Sequence, residues 1–345
     1  MTDGIKTAIL LLFTLVLGAC GGSQAPPTTV GKPPVAWNFV KLVDSDANGI
    51  WYAYAPSIVL KDGIYHVFFC SVGALGSWDY IRYVNSADGK TWSSPSVMLR
   101  ATAANGFDMA ACDPSVVYYQ GFYYMYYSSA YTTAPNLYQT VIQVAKSPNI
   151  DGPYLTYTQR GTWEDTPNDP KMIIQPLVTR SQDPTGYGAG QQTVLVRNGE
   201  LMMWYTDDSL DPNAGLRTYL LHSTDPVTWN PSLQAQITVP DAHSIDIKYD
   251  PAKNRYVMTR IINPHRANAY LTRAFSSDGK FWGPFETLID VSAFPDYANN
   301  VGAAGDQTGL TVPGPILVGF GAPWDLRKDD IWGQWDLYGV LIDSK

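Results

Sequence analysis

Residues 113–127 read DPSVVYYQGFYYMYY, a run of β-branched and aromatic residues interrupted by a Gln-Gly turn. The same arrangement occurs at residues 56–69 (PSIVLKDGIYHVFF) and at residues 191–205 (QQTVLVRNGELMMWY). Looser copies occupy residues 245–260 and 306–320. Tight turns of this kind between β-branched and aromatic runs are strong hairpin signals. The sequence therefore predicts five β-hairpins in series.

A second repeated motif follows the hairpins and closes each unit. It reads SADGKTW at residues 86–92 and SDGKFW at residues 277–282, with weaker copies at residues 147–154 and 223–229. An Asp in such a turn hydrogen-bonds its own backbone, so we interpret the motif as structural. Each unit of about 50 residues then has the content of one propeller blade. The sequence predicts an all-β fold, a five-bladed β-propeller with four-stranded antiparallel blades around a central channel, formed by residues 37–345.

The composition agrees with this fold and excludes several classes of protein. Of the 345 residues, 45% are hydrophobic and 13% are aromatic, which excludes disorder, coiled coil and collagen. Acidic residues outnumber basic ones by 31 to 23, which sets the formal net charge at −8. Nucleic acid requires a basic surface, so we expect no nucleic-acid partner.

The N-terminal residues carry a separate targeting signal. Lys6 precedes an apolar run at residues 8–17 that has the length of a signal-peptide core and is too short to span a bilayer. The tetrapeptide LGAC that ends at Cys20 resembles the lipobox of bacterial lipoproteins. This resemblance implies cleavage before Cys20 and lipidation of its thiol. It implies attachment to the bacterial cell envelope, and in a Gram-negative organism the outer membrane is favoured because no Asp follows the Cys. We expect a signal peptide at residues 1–19 and a flexible linker at residues 20–36.

Two further cysteines, Cys70 and Cys112, lie in apolar segments with strand-like patterns. In an exported, oxidising compartment they can pair as a structural disulfide. The other interpretation is that each is a small buried thiol. The sequence leaves both alternatives open.

The five units, the Asp-Pro-Ser start at Asp113 and the turns at residues 86–92 and 277–282 together resemble the superfamily of glycoside hydrolase families 43, 32, 62, 68 and 117. The resemblance covers nearly the whole mature chain. In family 43 a base Asp opens blade one, an Asp that tunes pKa and orients the substrate opens blade two, and an acid Glu opens blade three. The resemblance implies a glycosidase that acts on poly- or oligosaccharides at the channel mouth.

The turn glycines test whether this chain has those residues. Counting eight residues back from each turn glycine reaches Ala55 in blade one, Asp113 in blade two, Gln191 in blade three and Asp306 in blade five. Blade four has a longer turn, and its opening falls within residues 243–246. Ala cannot abstract a proton and Gln cannot donate one at neutral pH, so only Asp113 matches the family pattern. Either other carboxylates or a His carry catalysis, or the channel binds sugar without cleaving it.

The loops that follow the second strands should ring the same mouth, because each hairpin returns the chain to the face where it began. They contain aromatics that stack on sugar rings and polar groups that hydrogen-bond hydroxyls; in one of them Asp79 follows Trp78. His suits acid or base chemistry near neutral pH. The candidate catalytic residues are Asp113, Asp306, Asp246, His243 and Asp207. The candidate substrate-binding residues are Trp78, Tyr131, Gln191, Asp208, His265, Arg266 and Trp324.

The sequence contains no His-x-x-x-His, Cys-x-x-Cys, calcium-loop, phosphate-loop or dinucleotide motif. We expect no metal site and no cofactor, with an ion on the propeller axis as an alternative. We expect a monomer whose partner is a poly- or oligosaccharide and whose contact with the membrane is the N-terminal lipid anchor. Three functions are open: a glycosidase, a non-catalytic glycan-binding lipoprotein, and a protein-interaction scaffold of the envelope.

Overall fold

A computed structural model of the chain describes residues 38–74, 78–102, 108–134, 137–177, 187–207, 217–237, 239, 245–323 and 334–343. Within these ranges no helical segment has the length and hydropathy of a membrane span. The strands are β1 (Val40–Val43), β2 (Ala53–Lys61), β3 (Ile64–Val72), β4 (Asp79–Ser86), β5 (Ser96–Arg100), β6 (Cys112–Tyr119), β7 (Phe122–Ala134), β8 (Leu137–Ser147), β9 (Leu155–Tyr157), β10 (Trp163–Glu164), β11 (Ala189–Arg197), β12 (Glu200–Asp207), β13 (Arg217–Ser223), β14 (Ala235–Gln236), β15 (Ile245–Asp250), β16 (Arg255–Ile262), β17 (Tyr270–Ser276), β18 (Glu286–Ile289), β19 (Asn299–Ala303), β20 (Ile316–Pro323) and β21 (Trp335–Ile342). A short 3-10 helix (Pro231–Leu233) lies between β13 and β14.

The strands form five antiparallel sheets, which confirms the prediction of a five-bladed β-propeller. Blade one is β2–β5, blade two is β6–β10, blade three is β11–β14 and blade four is β15–β18. Blade five is β19–β21 completed by β1, which pairs with β21 so that Val40 lies opposite Gly339. The first described strand thus closes the ring by joining the last sheet.

Aromatic side chains fill the spaces between neighbouring blades. Tyr126 of blade two packs edge-on against Trp229 of blade three, with ring centroids 5.8 Å apart. Trp204 of blade three packs in the same way against Tyr256 of blade four at 5.6 Å, and its Nε1 donates to Gly279 O at 2.8 Å. Burying one such ring contributes about 2–3 kcal/mol. The high aromatic content of the chain therefore serves mainly to hold blades together.

The repeated turn motif is structural, as the sequence predicts. In blade one Asp88 Oδ1 accepts hydrogen bonds from the backbone N–H groups of Lys90 (2.8 Å) and Thr91 (2.7 Å). Asp278 Oδ1 accepts the equivalent pair in blade four at 2.9 and 3.0 Å. These backbone donors hold the pKa of Asp88 well below its usual range. Both carboxylates are engaged within their own turns.

Polar side chains join the inner strands of successive blades inside the channel. In each case an oxygen at an equivalent position accepts a hydrogen bond from a backbone N–H of the next blade. The pairs are Ser57 with Val116 (3.1 Å), Ser115 with Val194 (2.9 Å), Thr193 with Ile247 (3.3 Å) and Asp246 with Ala303 (2.8 Å). Between blades five and one a glycine, Gly302, takes this position, and a Cβ there would lie 2.0 Å from Pro56 O. The blades are therefore spaced too closely at this junction for any larger residue.

The loop between β19 and β20 crosses the end of the channel opposite the strand openings, and we call residues 304–311 the floor loop. Four of its backbone carbonyls each accept a hydrogen bond from the inner strand of a different blade. The donors are Leu60 N to Gly305 O (2.8 Å), Tyr118 N to Gln307 O (2.6 Å), Val196 N to Thr308 O (2.8 Å) and Tyr249 N to Gly309 O (3.1 Å). The floor loop thus ties blades one to four together at that end.

Candidate active site at the channel mouth

Four residues at equivalent positions line the mouth of the channel. Ala55, Asp113, Gln191 and Asn300 all border one pocket. Each has a positive φ, at 52°, 45°, 51° and 46°, and the pairing register shifts around each of them. These are β-bulges, which re-aim a side chain and are frequent beside active sites. Ala and Gln tolerate a left-handed backbone less readily than Asp and Asn, so Ala55 and Gln191 are held there under strain.

The glycine register is correct for blades one to three and wrong for blade five. The prediction that Asp306 opens the inner strand of blade five fails because Asn300 occupies that position. The reason is that residues 304–315 separate β19 from β20, whereas the count assumes a tight turn. Asp306 lies in the floor loop, where its Oδ1 accepts from the backbone N–H groups of Thr308 (2.7 Å) and Leu310 (3.0 Å).

Asp113 is the carboxylate among the four mouth residues. Asn300 Nδ2 donates to its Oδ1 at 2.9 Å, and Gln192 Nε2 of the next blade donates to its backbone carbonyl. Burial raises the pKa of Asp113 to about 6, against the lowering effect of a hydrogen bond from Ser128. Near neutral pH this carboxylate is ionised and more basic than an ordinary Asp.

Asp79, at the start of β4, is a second carboxylate and lies near Asp113. The Tyr52 hydroxyl donates to its Oδ1 at 2.6 Å, and its backbone carbonyl accepts from Ala111 N at 3.1 Å. Burial raises the pKa of Asp79 to about 7; the Tyr52 hydrogen bond opposes this rise, and the charge of Asp113 adds to it. The charge of Asp113 therefore disfavours the ionised form of Asp79.

A disulfide between Cys70 and Cys112 lies against both carboxylates and joins β3 of blade one to β6 of blade two. This settles the alternative that the sequence left open. Cys112 Sγ lies 3.8 Å from Asp113 Oδ1, and an Asp79 oxygen lies within 4.8 Å of the same sulfur. The oxygens of the two carboxylates are therefore closer together than the sum of these two distances. This upper limit does not exceed the separations between the two carboxyl groups of glycosidases, which are about 5–9.5 Å.

Gln191 contributes a hydrogen-bond acceptor to the mouth. Within the part of the chain that the structure describes, its buried Oε1 has no hydrogen-bond partner. Its backbone N–H donates to Ser128 Oγ at 3.0 Å, and this bond holds the bulge in place. A buried acceptor without a partner costs about 1–3 kcal/mol. A ligand hydroxyl that donates to Gln191 Oε1 would remove this cost.

Two other candidate carboxylates have partners within the protein. Asp246 forms a salt bridge with Lys248 Nζ at 2.6 Å and accepts from Thr193 Oγ1 at 2.9 Å. It lies at the inter-blade position, deeper along the strand than the bulge residues, although it still borders the pocket. Asp207 is fully buried at the end of β12, and its Oδ2 accepts from Leu177 N at 3.1 Å.

The candidate aromatic platforms Trp78 and Tyr131 are both half-buried. Trp78 packs edge-on against Tyr138, with ring centroids 4.6 Å apart. The Tyr131 hydroxyl lies 3.4 Å from Gln139 Oε1. Both residues keep part of their surface open to solvent, which a sugar-binding aromatic requires.

His265 and Arg266 follow the second strand of blade four. The His265 ring lies 4.9 Å from Trp335, which packs edge-on against Tyr54 at 5.6 Å. The Tyr54 hydroxyl in turn lies 3.1 Å from Cys112 Sγ. A continuous row of contacts therefore joins His265 to the disulfide that lies near the two carboxylates, while Arg266 is exposed.

His243, Asp208, Trp324 and the lipidation site Cys20 lie outside the described residues. The sequence marks Asp79 only as the neighbour of Trp78, and the spacing to the turn glycine does not lead to Asn300. No local pattern shows that Asp79 meets Asp113, because a disulfide and two different blades bring them together. The Asn pair at residues 299–300 was a usable signal, since Asn adopts positive φ more readily than most residues.

Comparison with known proteins identifies the class of fold. No protein-family model and no curated protein matches the chain in sequence. Among solved structures, the catalytic domain of a family 62 α-L-arabinofuranosidase from Coprinopsis cinerea matches with a TM-score of 0.62 at 17% identity, over 90% of this chain and 97% of that one. The α-L-arabinofuranosidase of Podospora anserina in complex with cellotriose matches at 0.60 with 15% identity, over 91% and 99%.

A family 117 glycoside hydrolase of the marine bacterium Zobellia galactanivorans also matches, with a TM-score of 0.60 at 15% identity over 89% of each chain. These matches confirm the resemblance to the five-bladed propeller glycoside hydrolases at the level of the fold. At such low identity the matches show the fold alone.

Proposed function

We propose that this protein hydrolyses glycosidic bonds in poly- or oligosaccharides at the channel mouth, with Asp79 and Asp113 as the reacting pair of carboxyl groups. The observation that carries the proposal is that two half-buried carboxyls flank one sulfur atom and have pKa values of about 7 and about 6. Pairs of titratable groups whose environments separate their pKa values are typical of acid–base catalysis.

The proposed chemistry assigns one proton transfer to each carboxyl. Asp113, with the lower pKa, is the base: a water loses a proton to it as the water oxygen bonds to the anomeric carbon. Asp79, with the higher pKa, is the acid: as the bond from the anomeric carbon to the leaving oxygen breaks, that oxygen takes the Asp79 proton. Exchange with solvent restores both carboxyls. This scheme uses no cofactor.

Other mouth residues would bind the sugar. Gln191 Oε1 would accept a hydrogen bond from a sugar hydroxyl beside Asp113, Asn300 would offer its amide, and Trp78, Tyr131 and His265 would offer ring surfaces. The fold supports a carbohydrate ligand, since the Podospora neighbour was solved with cellotriose. We propose an oligosaccharide as the partner on these grounds.

The test is a hydrolysis screen on arabinan, xylan, fructan and red-algal galactan fragments. We expect wild-type turnover with a bell-shaped pH profile of kcat/KM whose limbs lie near the two pKa values, about 6 and about 7. Asp79→Asn and Asp113→Asn should each lower kcat/KM by roughly 10²–10⁴-fold. Turnover that survives both substitutions would assign the chemistry to other residues.

A non-catalytic glycan-binding protein is the second candidate. Ala55 and Gln191 favour it, because they occupy the positions where family 43 enzymes are expected to have their base and acid. Calorimetry separates the two functions: ligand that binds wild type and is recovered intact after long incubation would establish binding without cleavage.

We also propose that the protein is a lipoprotein of the bacterial outer membrane, anchored through Cys20. The LGAC tetrapeptide and the apolar run before it support this proposal. Metabolic labelling with a radioactive fatty acid should label the wild type, and Cys20→Ser should abolish the label and release the protein from the membrane fraction.

A further inference from the structure

Trp51 lies where the chain enters blade one, on the mouth side of β2. Trp51 is 49% exposed, whereas the preceding Ile50 is 5% exposed. A Trp that is packed between blades, such as Trp204, is fully buried. Trp51 therefore does not contribute to inter-blade packing as most of the aromatic residues do.

The backbone of Trp51 is also unusual. Its φ is +60°, in the left-handed region that bulky residues rarely adopt. Strain of this kind persists where the surrounding structure imposes it, and it clusters at functional sites and ligand clamps. Because the indole is exposed, hydrophobic burial does not offset this strain. A glycine would adopt the same backbone conformation without strain.

The segment that carries Trp51 is anchored on both sides. Before it, the buried Ser45 donates through its backbone N–H to Asp336 Oδ1 at 2.7 Å and through its hydroxyl to Trp335 O at 2.7 Å. Ile50 N donates to Ser45 O at 2.9 Å. After it, Tyr52 donates to Asp79 at 2.6 Å. The exposed indole is thus presented by a fixed backbone and not by a loose loop.

We propose that Trp51 is a sugar-stacking residue of the mouth, and that it binds the ring on the leaving-group side of the scissile bond. The assignment of the side rests on the proposed function. Trp51 adjoins Tyr52, whose hydroxyl contacts Asp79, and Asp79 is the proposed donor to the leaving oxygen. The ligand class is an oligosaccharide whose next sugar presents an apolar C–H face to the indole.

Binding is tested with cellotriose, xylotriose and arabinotriose by calorimetry on Asp113→Asn, in which cleavage is suppressed. We expect at least one of the three to bind, and Trp51→Ala in the same background to weaken that binding about tenfold or more. The matched control is Phe281→Ala, because Phe281 is 68% exposed on the outer turn of blade four. It should leave binding unchanged. Trp51→Gly should weaken binding equally while raising the melting temperature, since glycine relieves the backbone strain.

The side of the bond is tested by kinetics in the wild-type background. Trp51→Ala should lower kcat/KM for the oligosaccharide about tenfold and leave kcat/KM for the matching glycosyl fluoride unchanged, because fluoride has no ring to stack. Equal loss on both substrates would overturn the leaving-group assignment.

Unchanged binding in both Trp51 variants, or no binding of any of the three sugars, would overturn the stacking role. Trp51-dependent binding without hydrolysis would refute the proposed hydrolase and leave the stacking role intact.

Discussion

The two ends of the channel are built from the same inner strands and differ in how their polar groups are used. At the floor, backbone N–H groups of four blades donate to carbonyls of residues 304–311, and Asp306 caps a turn within that loop. At the mouth, each described opening is a bulge with a positive φ, and two neighbouring carboxyls have raised pKa values.

This difference separates stability from chemistry within one channel. Backbone–backbone hydrogen bonds tolerate a change of side chain, so the floor can be kept by many sequences. Strained bulges and buried carboxyls cost stability, and such costs are typical of binding and catalytic sites. Substitutions at one end of the channel, with the other end as the reference, test this difference.

The largest expected effect is on turnover, from paired substitutions at the two ends. Asp113→Asn should reduce kcat/KM by on the order of 10³-fold, because it removes the proposed base. Asp306→Asn should leave kcat/KM within about twofold of wild type, because its carboxylate only caps the floor loop. Steady-state kinetics on the substrate found in the screen measures both. A large loss in Asp306→Asn would show that the two ends are coupled.

Removal of the disulfide should weaken the mouth. The bond joins cysteines 42 residues apart, and its loss in Cys70→Ala/Cys112→Ala should lower the free energy of unfolding by about 2–4 kcal/mol. We expect kcat to fall also, since Cys112 directly precedes Asp113. Urea unfolding with and without a thiol reductant checks the first point, because reduced wild type should match the variant. Equal stability of the reduced and oxidised proteins would contradict it.

The mouth carboxyls should make stability pH-dependent. Burial raises the pKa of Asp79 to about 7 and that of Asp113 to about 6, both above the unfolded value of 3.8. The folded state therefore binds these protons more tightly. The stability that they contribute is fully present below pH 3.8 and is lost as the pH rises through 6 and 7.

Asp79→Asn removes part of this pH dependence. At pH 8 the variant should be more stable than wild type by on the order of 2–4 kcal/mol, and the difference should vanish near pH 4. Urea unfolding across this pH range measures it, with the exposed Asp165→Asn as the control that should not differ from wild type. A variant that is less stable than wild type at pH 8 would show that the Asp79 charge is favourable in the fold.

The smallest effect is expected at the floor. Asp306→Asn keeps one acceptor oxygen for Thr308 and Leu310 but loses the charge, so the free energy of unfolding should fall by about 1 kcal/mol. Because the floor is held mainly by backbone bonds, hydrogen exchange at Leu60 and Tyr118 should remain slow in the variant. Fast exchange at these amides would show that the Asp306 carboxylate, and not the backbone, holds the floor.

The sequence predicts the blades well and the mouth only in part. The hairpins of blades one to three follow from β-rich runs around tight turns, and the openings Ala55, Asp113 and Gln191 follow from a constant spacing to the turn glycine. Blade five breaks that spacing because its hairpin loop is extended to cross the channel floor. Asn300 therefore takes the place that the count assigned to Asp306.

The amino-acid sequence by itself determined the repeat, the number of blades and the structural use of the Asp-Gly turns, because these depend on contacts between residues near in the chain. Only the tertiary structure decided that Asp79 meets Asp113. Their approach depends on pairing between two blades and on a disulfide between them, and their raised pKa values depend on burial by residues distant in sequence. Desolvation is a property of the assembled mouth, so no local pattern can encode it.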